Sequence, residues 1–290
     1  MKTQTVAIIG ENSYIGTKFI EYCQNDSELD ISVINSRQND LSTYDFKNIK
    51  VVIHVAGIAH VSTNPKMDTL YYKINRDLPI SAATKARKDG VKQFVFLSSM
   101  IVYQDPKKIG ELHEIALSTI PNPQNAYGRS KLEAEIGLQS LASENFLVSI
   151  LRLPMVYGEG CKGNFPRLIS LGLKAPLFPD LSNSRSMIYI VNLCAYIRYC
   201  IVEKKHGLLF PQNKDYVNTR DIIELAACSQ KRRIRFSPFL GKVIRIIFGR
   251  SNTVNKVFGS KVYSKALSPD MDLYNRYSFI ESMNRYLNSL

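Results

Sequence analysis

Thr5-Val6-Ala7-Ile8-Ile9-Gly10-Glu11-Asn12-Ser13-Tyr14-Ile15-Gly16 decides the fold of this 290-residue chain. Its first five residues are a short, β-branched apolar run, the composition of a parallel strand buried on both faces. A helical pattern follows from Thr17 to Cys23. Gly10 permits the tight turn out of the strand and Gly16 permits close helix-to-strand packing. The helix entry through Ser13, Tyr14 and Ile15 then receives a pyrophosphate on its N-terminus. Ser13 stands where such loops usually carry a middle glycine, and its small side chain still lets the backbone come close. A glycine turn of purely structural use would need the same residues, so the neighbouring segments decide between the two.

The next strand, Ile31 to Ile34, ends in Asn35-Ser36-Arg37. NAD-preferring sites usually place an Asp or Glu here to hold the ribose 2′-hydroxyl. Ser36 and Arg37 instead offer a hydroxyl and a guanidinium, which suit a 2′-phosphate and favour NADP(H) over NAD(H). Asp40-Leu41 follows, where the carboxylate either accepts from an adenine amino group or simply turns the chain. Val51 to Gly57 is a further buried strand, and its small end at Val55, Ala56 and Gly57 lets the backbone pass close to a ligand. Asn75 lies in a helical stretch. The strand Gln93 to Leu97 delivers Ser98 and Ser99 at its C-terminal end, the edge where ligands bind in open α/β sheets. This alternation of strands and helices predicts an α/β, Rossmann-like, doubly wound parallel sheet.

Downstream, Tyr127 and Lys131 are four residues apart and share a helix face. An ammonium there favours the phenolate and lowers the tyrosine pKa from about 10. A phenol so tuned is a general acid/base for a sugar or alcohol oxygen. The same spacing also occurs on solvated helix faces, so the pair gains meaning only from the segments before it.

Composition narrows the field. No segment reaches membrane-spanning length, since Asn192 and Arg198 interrupt the most apolar one. The N-terminal run lacks the pattern of a signal peptide. Five scattered cysteines without metal-ligand spacing predict reduced thiols, no metal and a cytoplasmic setting. The net charge of +13 suits an acidic ligand such as a nucleotide diphosphate. The Lys and Arg are mostly dispersed and no aromatic-basic recognition motif accompanies them, so nucleic acid is not an expected partner. The exception is Lys231 to Arg250, which is basic and amphipathic. A weak contact with an anionic membrane surface and a solvated helix flank are its two readings.

Taken in order, these pieces resemble the extended short-chain dehydrogenase/reductases, in the nucleotide-sugar epimerase/dehydratase branch. The matching pieces are Gly10-x-x-Ser13-x-x-Gly16, Asp40-Leu41, His54 to Gly57, Asn75, Ser98 to Tyr103 and Tyr127-x-x-x-Lys131. Leu151 to Gly158 and Arg185 to Val191 extend the match. The resemblance implies that Tyr127 is the acid/base, Lys131 its modulator and ribose contact, and Ser99 the catalytic hydroxyl. It places Ser98 beside them and Leu153 and Pro154 against the nicotinamide. Met100, Asn164 and Arg167 fall to the substrate, with Arg185 on its diphosphate. It further implies a dinucleotide-binding domain over residues 1–154 and a smaller, mainly substrate-binding domain over 155–290, with some segments returning to the first. Homodimers are common in the branch.

The 4,6-dehydratases of this branch carry an Asp-Glu pair directly after the catalytic hydroxyl. Met100 and Ile101 stand there and can do no acid/base chemistry. The resemblance then points to a C4 reductase acting on a UDP-4-keto-6-deoxy-N-acetylhexosamine. Its product would be UDP-N-acetylfucosamine or UDP-N-acetylquinovosamine, for capsule or O-antigen polysaccharide. A UDP-hexose 4-epimerase that retains its NAD, and a non-catalytic NADP-binding protein of the same fold, are the competing readings.

Overall fold

The structure, a computed structural model, describes residues 3–58 and 66–290. The first part of the chain runs β1 (Gln4–Ile9), α1 (Tyr14–Tyr22), β2 (Leu29–Ile34), β3 (Val51–His54) and α2 (Lys66–Tyr71). After a π-helical turn at Tyr72–Asp77 come α3 (Leu78–Lys88), β4 (Gln93–Ser99), β5 (Leu112–Ile115), α4 (Ala126–Gln139) and β6 (Leu147–Leu153). The middle holds β7 (Met155–Tyr157), α5 (Asn164–Lys174), β8 (Leu177–Pro179), β9 (Met187–Tyr189), α6 (Ile190–Val202) and β10 (Gly207–Leu209). The last part holds α7 (Thr219–Ser229), β11 (Arg235–Ser237), α8 (Pro238–Phe248), α9 (Asn252–Phe258), β12 (Ser260–Tyr263), α10 (Met271–Tyr274) and α11 (Phe279–Asn288).

The chain divides into two compact units. The first comprises Met1–Gln104, Ile120–Leu153 and Cys194–Pro211, and the second Asp105–Thr119, Pro154–Leu193 and Gln212–Leu290. Residues 105–119, expected in the first domain, cluster instead with the second. The reason is long-range pairing: β5 lies parallel to β12, with Leu112 opposite Ser260.

In the first unit a six-stranded sheet runs β10-β6-β4-β3-β1-β2, every pairing parallel. Its register aligns the strand ends. Ile9 pairs with Ile34 and His54, His54 with Phe96, and Ser99 with Leu153. The segments that follow β1, β2, β3 and β4 therefore all leave from one rim of the sheet. Ala7, Ile9, Val52, Phe94, Phe96 and Ile150 face Ala82 and Ala86 of α3 and Ala134 and Leu138 of α4 in one fully buried cluster. Small residues on the helices meet large ones on the strands, so the layers pack closely. Each buried Phe or Ile contributes about 1.5–3 kcal/mol. Gln93 fastens the last elements by donating to Ser149 Oγ (2.9 Å) and to the Lys205 carbonyl (3.0 Å).

The second unit is built on three two-stranded parallel pairs, β7 with β9, β8 with β11 and β5 with β12. Its core is aromatic: Phe165 stacks at 4.9 Å from Tyr157 and 5.2 Å from Tyr286. The Tyr157 hydroxyl is satisfied by Ser282 (2.5 Å) and by the Asn213 amide (3.0 Å). Among the described residues no helix is long and apolar enough to cross a membrane, and no group of His, Cys, Asp or Glu is placed to hold a metal.

Candidate functional site

At the rim of the first unit's sheet lies a cleft of about 650 Å³, lined by the loop after β1, the segment after β2, and the end of β3. Gly10 takes φ +129°, and a Cβ there would sit 2.8 Å from the Ala56 nitrogen and 2.9 Å from Val55 Cγ2. Only glycine lets the two backbone segments approach this closely. Ser13 does more than fit: its hydroxyl caps α1 by accepting from Gly16 N–H (3.2 Å), so Tyr14 and Ile15 open the helix. The helix N-terminus thus points its dipole at a cradle of backbone, which suits a pyrophosphate. Ser36, Arg37, Val55, Ala56 and Gly57 also line the cleft. These residues fit a dinucleotide.

Several expected cofactor contacts, Asp40 and Leu41 among them, do not line it. The Asp40 carboxylate accepts from the Ser42 N–H (2.9 Å) and hydroxyl (2.7 Å), both through Oδ1, as a turn residue would. Leu41 is 1 % exposed and packs in the sheet core. The sequence reading in turn missed Glu11. Asn12 adopts φ +59°, and Glu11 accepts a hydrogen bond from the Asn35 amide at the end of β2. An acid therefore does lie beside Ser36 and Arg37, contributed by the glycine loop rather than by the second strand.

Tyr127 enters on the first turn of α4, whose N-cap Asn125 accepts from Gly128 N–H (2.8 Å). The phenol is buried against Tyr71, with ring centroids 6.0 Å apart. Burial pushes its pKa up to about 12, and the nearby Ser99 hydroxyl opposes that rise. Ser99, at the end of β4, thus lies near the phenol. Lys131 is also buried, and its Nζ donates to the Leu97 carbonyl (2.8 Å) and lies 4.5 Å from the centre of the Phe96 ring. Burial pulls its pKa down to about 8. The expected ammonium-driven fall in the tyrosine pKa is thus corrected. The lysine is aimed at the strand end, and desolvation of the phenol outweighs any charge near it.

Asn75 occupies the π-helical turn, fully buried, where it accepts from Ile58 N–H (2.9 Å) and donates to the Ile58 carbonyl (3.1 Å) and Ser130 Oγ (3.4 Å). It fixes the segment after Gly57 to α4. Met100 and Ile101 form a 3₁₀ turn after Ser99, and Ile101 packs against the Tyr127 cluster. No acid stands beside the phenol in this turn. Leu153 is buried at the end of β6, and buried Pro154 follows as the first residue of the second unit.

A buried polar network ties these pieces together. Glu135, one turn beyond Lys131, accepts from the Ser98 hydroxyl and from Arg152 Nη2 (2.6 Å) and Nε (3.0 Å). Arg152 also donates to the Tyr103 hydroxyl. The network joins α4 to β4 and β6 immediately before Ser99 and Leu153.

His54 is the other buried group nearby. Neither ring nitrogen has a hydrogen-bond partner among the described residues, and Phe94 and Phe96 lie 6.1 and 6.0 Å away. Burial, then the Lys131 charge, draws its pKa down from 6.5 to about 3. Between those values only the unfolded chain takes up this proton, so stability is whole above the unfolded pKa and falls as pH drops below it. The slope from this one group reaches about 1.4 kcal/mol per pH unit. Urea unfolding near pH 7 and near pH 5 checks it: His54→Leu should lose less stability over that interval than the parent protein.

In the second unit, Asn164 opens α5 behind Gly163, and both Asn164 and Arg167 are exposed. Phe165 is a core residue. Arg185 donates to the Lys256 carbonyl (2.8 Å), and burial draws its pKa below the ordinary value, partly opposed by the Asp105 charge. Lys261 pairs with Asp105 at 2.9 Å.

Residues 6–210 match the sequence profile of the NAD dependent epimerase/dehydratase family. A UDP-glucose 4-epimerase of Vibrio cholerae is 33% identical over 227 residues, covering 74% of this chain and 68% of that protein. The N-acetyl-alpha-D-glucosaminyl-diphospho-ditrans,octacis-undecaprenol 4-epimerase of Escherichia coli O157:H7 is 26% identical over 67% of this chain and 62% of its own length. A dTDP-4-dehydrorhamnose reductase structure from Clostridium acetobutylicum superposes with a TM-score of 0.77 at 20% identity, covering 98% of this chain and 99% of that one. The glycine cradle after β1 and the match over residues 6–210 agree: the chain belongs to the NAD dependent epimerase/dehydratase family, as a Rossmann-type NAD(P)-dependent nucleotide-sugar oxidoreductase.

Proposed function

We propose that the protein reduces the C4 ketone of a UDP-4-keto-6-deoxy-N-acetylhexosamine, giving UDP-N-acetylfucosamine or UDP-N-acetylquinovosamine for surface polysaccharide. The observation that carries this reading is the turn after Ser99, where Met100 and Ile101 put no acid or base beside the Tyr127 phenol. The buried phenol keeps its proton at neutral pH and can give it up to a ketone oxygen. When bound, the reduced nicotinamide supplies a hydride to the carbonyl carbon. Ser99 holds the carbonyl oxygen, and Tyr127 gives that oxygen its proton. Met100 and Ile101 leave no acid beside them to eliminate water. The names of both relatives carry a sugar on a diphosphate, which supports a diphosphate-linked hexose as substrate. On this reading Asn164, Arg167 and Arg185 serve the substrate.

The test is to incubate the protein with NADPH and the 4-keto sugar freshly made by a dehydratase, following the NADPH absorbance. No loss of absorbance would sink the proposal. Identity with the Vibrio enzyme favours a second reading, a UDP-hexose 4-epimerase. Turnover without added cofactor, with NAD retained on purification, would select it.

Cofactor choice rests on two opposed side chains. Arg37 attracts a 2′-phosphate, whereas the Glu11 carboxylate repels it and can accept from a 2′-hydroxyl. Glu11→Ala is expected to tighten NADPH binding relative to NADH by about tenfold, and Arg37→Ala to move the ratio the other way. Fluorescence titration with each nucleotide measures both.

A further inference from the structure

We infer that the outward face of α8 docks the protein on an anionic lipid bilayer. Seven Lys and Arg and no Asp or Glu lie between residues 231 and 250. The helix is firmly built into the second unit. Ser237 caps it by accepting from Leu240 N–H (3.2 Å), and a Cβ on Gly241 would lie 2.2 Å from the Asp180 carbonyl oxygen. At its far end Gly249 accepts from Ile109 N–H (3.0 Å).

This seating turns a row of large apolar side chains outward. Phe239, Ile246 and Ile247 are 77%, 73% and 65% exposed, with half-buried Val243 between them. They recur at i, i+4, i+7 and i+8, one face of the helix. Exposed Lys242, Arg245 and Arg250 flank that face, and none forms an ion pair among the described residues. An apolar ridge bordered by cations matches the headgroup boundary of an anionic membrane, which takes the ridge into its acyl edge and the cations onto its phosphates. A second copy of the same face would set cation against cation, and a neutral apolar partner would leave the cations without a use.

The experiment is co-sedimentation of the full-length protein with vesicles of phosphatidylglycerol and phosphatidylcholine, against phosphatidylcholine alone. Binding is expected to the anionic vesicles only, to weaken as salt rises, and to fall roughly tenfold or more in Lys242→Glu/Arg245→Glu. Phe239→Ser/Ile246→Ser should weaken it comparably. Cofactor titration of each variant, expected unchanged, verifies the fold. The inference is overturned if the parent protein ignores anionic vesicles at low salt, or if the charge-reversed variant still binds them as well. It is equally overturned if light scattering shows parent dimers that these substitutions dissociate, because the face is then covered by a second copy.

Discussion

Tyr127→Phe is expected to lower turnover by about 10²–10⁴-fold while cofactor affinity stays as it was. The substitution removes one oxygen and leaves a ring of the same shape against Tyr71. The fold has no reason to respond. What is lost is the proton that Ser99 orients and burial retains on the phenol. Gly10 and Gly57 line the cleft, and Asn75 holds the neighbouring Ile58 through its side-chain amide, none of which involves the phenol hydroxyl. Single-turnover reduction and a nicotinamide fluorescence titration, run on the same preparation, separate the two effects. If the variant reduced the ketone near the parent rate, Ser99 or water would have to be the donor.

Removing one half of the Glu135–Arg152 pair is expected to cost about 3–5 kcal/mol of stability. Both groups are nearly inaccessible, at 1% and 6% side-chain exposure. Glu135→Ala therefore leaves a buried guanidinium without its carboxylate, and Arg152→Ala leaves a buried carboxylate without its guanidinium. The double change Glu135→Leu/Arg152→Met leaves no orphan charge and should recover most of the loss. Thermal unfolding of the parent, the two single variants and the double variant measures the coupling. A set of simply additive losses would mean that the two groups act separately. The double variant also tests geometry: it keeps the packing but unties α4 from the strand ends that carry Ser99 and Leu153, so its activity should recover less than its stability.

Much of this was legible in the chain. Alternating apolar strands placed the sheet, and Gly10 with Gly16 placed the cradle, because those requirements are local. Tyr127 and Lys131 were read from their shared helix face, and the place of Ser99 from a strand end together with the family resemblance. What was not legible depended on neighbours far away in sequence. Leu41 looks like a cofactor contact beside Asp40 until the core closes over it. Glu11 meets Asn35 only because Asn12 turns through a positive φ. The Lys131 charge was read as a tuner of the phenol, yet its strength and direction follow from burial under Phe96 and Leu97. Residues 105–119 changed units because their strand partner lies about 150 positions later.

The discontinuous first unit has a consequence for synthesis. Its edge strand β10 begins at Gly207, after all of residues 154–193 have been made for the other unit. A ribosome therefore releases β6 with one flank open, and at about 5–20 residues per second it takes several seconds to deliver the strand that covers it. In that interval Leu147–Leu153 is an unpaired, apolar template for another nascent chain. Translation stalled between residues 154 and 206 should yield chains that depend on a chaperone, whereas those released past Pro211 can finish the sheet unaided.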